Sequence, residues 1–257
     1  MKRVIDEEQE FFVSQLRFPE KGIAINTALK ENTFTTFVCV MNKIPILIIG
    51  SPGSSKSLSV RILASNLNGI SSESELCRKY AEINMTYFQG SESSTSEGVE
   101  EVFTKVNSHK ASSKFHCINC IYFDEIGLAE KSVHNPLKVL HSKLEIHNEN
   151  KVAFIGISND ELDAAKMSRF LIVSRPTPSN EELKLTARKI CEKEVSSIKG
   201  INKKILEQIE LMGEYYSRFL KEWEKYDSSQ KGFFGLRDFY NYVKYVCKKL
   251  EKEGNYL

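Results

Sequence analysis

The chain has 257 residues, 41% of them hydrophobic and 27% charged, with a formal net charge of +2. That length allows a sizeable core in one large or two small domains, and the composition excludes an intrinsically disordered chain. Acidic and basic residues are interleaved, so no Lys/Arg stripe argues for nucleic-acid binding. No apolar run reaches the length of a transmembrane span, and Met1–Glu8 carries no signal-peptide core, so a cytoplasmic protein is expected.

Residues 1 to about 30 mix charged and apolar side chains and read as a helix with an entry loop. Ala28 to Met41 reads as a helix leading into the strand Ile46–Ile49. A Gly/Ser-rich turn follows, then a helix from Ser57 to about Asn66. Ser71 to Tyr80 is polar and reads as a loop with a short helix, Glu82 to Phe88 as a short strand, and Gln89 to Gly98 as an exposed loop. Helical spacing returns through Val99, Val102, Phe103 and Val106. Cys120–Asp124 is strand-type, and Leu137, Val139, Leu140 and Leu144 recur with helical spacing up to Glu145. The run Lys151–Asn159 is too continuously apolar for an amphipathic strand and suits one buried on both faces; Leu171–Val173 adds a further strand. Strands alternating with helices predict an α/β parallel sheet. At Arg175-Pro176-Thr177-Pro178 the register changes, because two prolines in three residues continue neither a helix nor a central strand. Beyond them only helices are predicted: Asn180–Val195, Asn202–Tyr226 and Leu236–Leu250. The expected division is an α/β core with its N-terminal lead-in at 1–176 and a small helical lid at 177–257, hinged about Arg175–Pro178.

Two motifs carry the chemistry. Gly50-Ser51-Pro52-Gly53-Ser54-Ser55-Lys56-Ser57-Leu58 joins a strand to a helix with the spacing of a phosphate-binding loop, except that Ser55 replaces the second glycine. Backbone N–H groups there would cradle an anion, Lys56 would reach the β- and γ-phosphates, and the Ser57 hydroxyl would ligate Mg²⁺. Downstream, Asp124-Glu125 ends a strand with two adjacent carboxylates, costly to bury without a compensating partner. The Walker B reading supplies one: Asp124 holds Mg²⁺ through its water shell, and Glu125 polarises the attacking water. Cys117 and Cys120 form a lone C-x-x-C pair after His116. Without a second ligand pair they read as reduced thiols, not a zinc site.

The wider wording of the motifs resembles the mysterin family, the giant AAA+ RING-finger E3 ubiquitin ligases. Ile44-Pro45, Gly53-Ser54-Ser55-Lys56-Ser57-Leu58, Asp124-Glu125-Ile126-Gly127-Leu128-Ala129-Glu130 and Pro136-Leu137-Lys138 carry the resemblance. So do Phe154-Ile155-Gly156-Ile157-Ser158-Asn159, Ala165-Lys166-Met167, Arg169 and Phe233-Phe234-Gly235-Leu236-Arg237-Asp238, over roughly residues 20 to 250. The resemblance implies an AAA+ P-loop ATPase with a C-terminal helical lid, in which serine at position 55 is the family's own variation. It further implies ATP as nucleotide, Asn159 as sensor 1, Arg169 as an arginine finger acting on a neighbouring subunit, and Arg237 as sensor 2. Arg175, near the hinge, is the alternative finger. Neighbouring AAA+ modules, in cis or as a homo-oligomer, and ubiquitin-ligase machinery are the implied partners. A RING needs several Cys/His zinc pairs, so ligase activity is not expected of this chain alone. Two other readings stay open: a non-hydrolysing nucleotide switch, and an interaction module with a vestigial site.

Overall fold

The computed structural model describes residues 2–18, 23–110, 117–145, 152–194, 203–226 and 234–253. His116, Lys151, Val195, Asn202 and Phe233, which the sequence reading used, lie outside the described residues. The chain divides into two compact units. The first holds Met1–Arg17, Leu29–Gly50 and Ser55–Arg175; the second holds Phe18–Ala28, Ser51–Ser54 and Pro176–Leu257.

The first unit contains five parallel strands: β1 (Ile46–Gly50), β2 (Glu82–Gln89), β3 (Cys117–Asp124), β4 (Ala153–Ser158) and β5 (Leu171–Arg175), in the order β2-β3-β4-β1-β5. Every residue of β1 and β4 is buried, which accounts for their unbroken apolar sequence. The edge strands β2 and β5 carry exposed positions instead. Around the sheet run α1 (Lys2–Ser14), α2 (Thr27–Met41), α3 (Lys56–Asn66), α4 (Ser96–Lys110), α5 (Ile126–Glu130), α6 (Val139–Lys143) and α7 (Ala164–Met167). One core joins Leu47, Phe103, Phe123, Phe154 and Phe170, with Phe154, the second residue of β4, fully buried.

Topology positions the site. β4 lies between β1 and β3, pairing Ile49 with Ser158 and Phe123 with Gly156. All three strands run the same way, so the residues that follow β1 and β4 and those that end β3 emerge at one edge of the sheet.

The sequence reading departs from the structure in a few places. α4 begins at Ser96, two residues before the expected loop end, and within that loop Gly90 and Ser94 are buried. The helix expected from 137 to 144 is a 3-10 turn, Pro136–Lys138, followed by α6, with proline at its start. The short helix α5 was not foreseen, since five residues are too few to show a helical period.

The second unit carries α8 (Asn180–Glu194), α9 (Lys203–Tyr226) and α10 (Leu236–Glu253) around Leu183, Ala187, Ile190, Ile209, Phe239 and Val243. Ser179 caps α8 reciprocally: Glu182 N–H donates to Ser179 Oγ (3.3 Å), and Ser179 N–H donates to Glu182 Oε2 (2.9 Å).

Candidate functional site

β1 runs straight into the 50–58 turn. Ser54 closes it on Ser51, its hydroxyl donating to the Ser51 carbonyl at 2.8 Å and its N–H at 3.2 Å. Gly53 has φ 88°, a conformation costly for residues with a Cβ; a Cβ there would stand 2.7 Å from Leu236 Cβ and 3.0 Å from Arg237 N, all in the second unit. Pro52 is exposed. Ser55 is the N-cap of α3 in the left-handed region (φ 63°, ψ 17°), where a glycine has no steric penalty and a serine has a modest one. No side chain caps α3, so its leading N–H groups and the positive end of its dipole face the turn. Ser57 and Leu58 follow, both half-buried.

Lys56 opens α3 and is only 6% exposed. Its ammonium donates to the Gly50 carbonyl and, at 3.1 Å, to Oδ1 of Asn159, 103 residues away in the chain. Asn159 is exposed, directly after β4. The strand order makes this meeting possible, because β1 and β4 are neighbours.

Asp124 ends β3 and Glu125 begins the next turn at φ 50°, ψ 41°, as N-cap of α5. Both oxygens of Asp124 have donors: Tyr122 Oη gives to Oδ2 at 2.8 Å, and Glu125 N–H to Oδ1 at 2.9 Å. Gln89, the last residue of β2 and the register partner of Asp124, donates Nε2–H to Glu125 Oε2 at 2.8 Å. Burial, with Asp124's negative charge adding to it, pushes the Tyr122 hydroxyl above the usual tyrosine range despite the opposing influence of Ser57. The hydroxyl therefore stays protonated as a donor. Sequence reading missed Gln89 and Tyr122. Tyr122 left a signal, since residues two apart on a strand share a face; Gln89 left none, because register is not visible in the sequence.

The three candidate arginines come from different stretches of the chain, and Arg175 is the register partner of Gly50. Arg169, half-buried between α7 and β5, donates Nε–H to His141 Nδ1 at 3.1 Å. Arg175 ends β5 with its side chain 12% exposed, pairs with Glu31 and donates to Asn32 Oδ1 at 2.6 Å. Arg237 belongs to the second unit, exposed in the first turn of α10, where Asp238 Oδ2 accepts from Gly235 N–H at 2.8 Å. Cys120 is fully buried and burial drives its thiol pKa upward; among the described residues no three His, Cys, Asp or Glu side chains converge as a metal-holding group.

A five-stranded parallel sheet in this order, flanked by helices and followed by C-terminal helices, defines an AAA+ P-loop fold. Residues 22–182 match the family described as RNF213 AAA domain, and the chain belongs to that family. It is 39% identical over 235 residues to E3 ubiquitin-protein ligase RNF213 of Homo sapiens, covering 88% of this chain and 4% of that protein. Against rnf213-beta of Danio rerio it is 38% identical over 245 residues, 92% of this chain and 5% of that one. The mysterin-type resemblance is thereby shown, for a chain that spans about a twentieth of these relatives. Among solved structures, the chain is similar to a point variant of Thermotoga maritima RuvB (TM-score 0.45, 16% identity, 72% of this chain and 54% of that chain). It is also similar to C. elegans PCH-2 (TM-score 0.44, 18% identity, 88% and 67%).

Proposed function

We propose that this AAA+ module binds ATP with Mg²⁺ and hydrolyses it. The observation that carries the reading is the meeting of Lys56 with Asn159, together with the Asp124-Glu125 pair at the end of β3. Lys56 and the N–H groups opening α3 bind the phosphates and offset their charge. Asn159 orients the attacking water, and Glu125 accepts its proton once its carboxylate leaves Gln89. The hard oxygen donors Ser57 and Asp124, the latter held by the Tyr122 hydroxyl, fit Mg²⁺. When bound, the cation neutralises charge on the β- and γ-phosphate oxygens.

Of the two candidate trans arginines, Arg169 is favoured, because Arg175 is committed to Glu31 and Asn32. Arg237 is assigned as the cis arginine on its motif. The nucleotide-binding core at 1–176 and the lid at 177–257 remain the proposed functional division. The proposed partners are neighbouring AAA+ modules, in cis within a giant ubiquitin ligase or as copies of this chain, in the cytoplasm. A second reading, a nucleotide switch that does not turn over, has one observation in its favour: Gln89 already occupies Oε2 of Glu125.

Subunit mixing tests the hydrolysing reading. Arg169→Ala and Glu125→Gln are each expected to bind ATP without turning it over, and an equimolar mixture is expected to regain turnover, since each supplies the group the other lacks. Wild-type chain that binds ATP but shows no turnover at any concentration supports the switch. Wild-type turnover that survives Glu125→Gln removes the assigned base.

A further inference from the structure

Tyr122 is 7% exposed, and its place two residues before Asp124 on β3 puts both side chains on one face of the sheet. The ring packs edge-on against Tyr87, its register partner on β2, with centroids 5.4 Å apart at 82°. The hydroxyl donates to Asp124 Oδ2 at 2.8 Å, with Ser57 of α3 as a further polar neighbour. Glu125 N–H holds the other Asp124 oxygen at 2.9 Å, so the carboxylate is fixed at both ends. Strand burial does not require this hydroxyl, since phenylalanine fills a half-apolar site equally well. A buried hydroxyl is costly unless bonded, and here its partner is Asp124.

We propose that Tyr122 is a positioning residue for the divalent cation, its hydroxyl setting the Asp124 carboxylate in the orientation in which it holds Mg²⁺ together with Ser57. The inference rests on the reading of Ser57 and Asp124 as the cation-binding pair. Mg²⁺ demands near-ideal octahedral geometry, which places a premium on how its few protein oxygens are aimed. Side chains that hydrogen-bond a ligating group aim it, and losing one typically costs about 10–100-fold in metal affinity. Tyr122 touches neither phosphate nor water; it acts through Asp124.

The test is binding, not turnover. Fluorescent ATP analogue is titrated into the full chain, first with EDTA and then at fixed nucleotide across a Mg²⁺ series, for wild type, Tyr122→Phe and Asp124→Asn. Tyr122→Phe keeps the ring and its contact with Tyr87, and a thermal melt verifies its fold. The expected result is an EDTA affinity equal to wild type and a Mg²⁺ midpoint raised about 10–100-fold. Asp124→Asn is expected to raise the midpoint at least as far. Tyr87→Leu, which leaves the hydroxyl but removes the edge contact, is expected to give a smaller rise in the same direction. An unchanged or lowered midpoint in Tyr122→Phe beside a raised one in Asp124→Asn overturns the role of Tyr122 and leaves the nucleotide site standing. Folded wild type that binds no nucleotide overturns both.

Discussion

Replacing Gly90 by alanine tests how tightly Glu125 is held. Gly90 is buried just beyond β2, and its N–H donates to the Asp124 carbonyl at 2.8 Å. A Cβ at this position would lie 2.4 Å from the Glu125 carbonyl oxygen, 3.0 Å from its carbonyl carbon and 3.0 Å from Phe123 Cε2. Ordinary contact needs roughly 1 Å more, in a region packed at the density of a crystal. Two of the three atoms are backbone, so the strain falls on the peptide leading out of Glu125, already left-handed at φ 50°. Overpacking of this kind costs about 1–3 kcal/mol, which for a chain of this size lowers Tm by about 2–12 °C. A displacement near 1 Å at a catalytic group costs about 100-fold in rate. Turnover of Gly90→Ala is therefore expected to fall about 100-fold, while ATP affinity, proposed to rest on Lys56, changes by no more than about 3-fold. Gly98→Ala is the control: its Cβ meets only Thr95 Oγ1 at 3.4 Å, and within α4 it is expected to hold or raise stability by up to about 1 kcal/mol. The assays are a thermal melt, ATP titration and steady-state turnover. Wild-type turnover and Tm in Gly90→Ala would refute the claim that this contact fixes Glu125.

Other predictions follow from the packing. Phe154→Ala empties a fully buried position of β4, where the ring lies 5.8 to 6.2 Å from those of Phe103, Phe123 and Phe170, and is expected to cost about 3–5 kcal/mol in denaturant unfolding. Ser55→Gly trades a left-handed serine for added chain entropy and is expected to change stability by less than about 1 kcal/mol while keeping ATP binding. Ser55→Val, β-branched at the same φ, is expected to destabilise by about 1–2 kcal/mol in the same melt. In the second unit, burial, with Asp238 contributing, raises the Tyr216 pKa from 10.0 to about 12, and its hydroxyl donates to the Gly235 carbonyl at 2.6 Å. A folded-state pKa above the unfolded one gives stability that is whole below pH 10 and is lost as pH rises towards 12. Melts of wild type are expected to fall over that window more steeply than those of Tyr216→Phe.

The strands of the sheet were readable because each carries its burial in its composition: Ile46–Ile49 and Val152–Ile157 are apolar throughout, as strands covered on both faces must be. The proline pair at 176 and 178 marked where strands give way to helices. The Gly50–Leu58 turn and the Asp124-Glu125 pair were visible as local strings, since each sits at a strand end. What joins them was not. Lys56 reaches Asn159, and Gln89 reaches Glu125, only through strand order and register, which depend on contacts between segments more than 30 residues apart. The pairing of Arg175 with Glu31 was likewise hidden, because it spans 144 residues. α5, at five residues, was too short for periodicity to reveal, and the helix expected through 137–144 shrank to a 3-10 turn and the five residues of α6.

The most direct test of a nucleotide site built on Lys56 and the Asp124-Glu125 pair is calorimetric titration of Mg·ATP into wild type, Lys56→Ala and Glu125→Gln, with melts of all three. The account predicts near-equal affinity for wild type and Glu125→Gln, and a loss of about 100-fold or more in Lys56→Ala, whose ammonium no longer meets the phosphates. Equal binding by folded Lys56→Ala and wild type, or no binding by folded wild type, would contradict it.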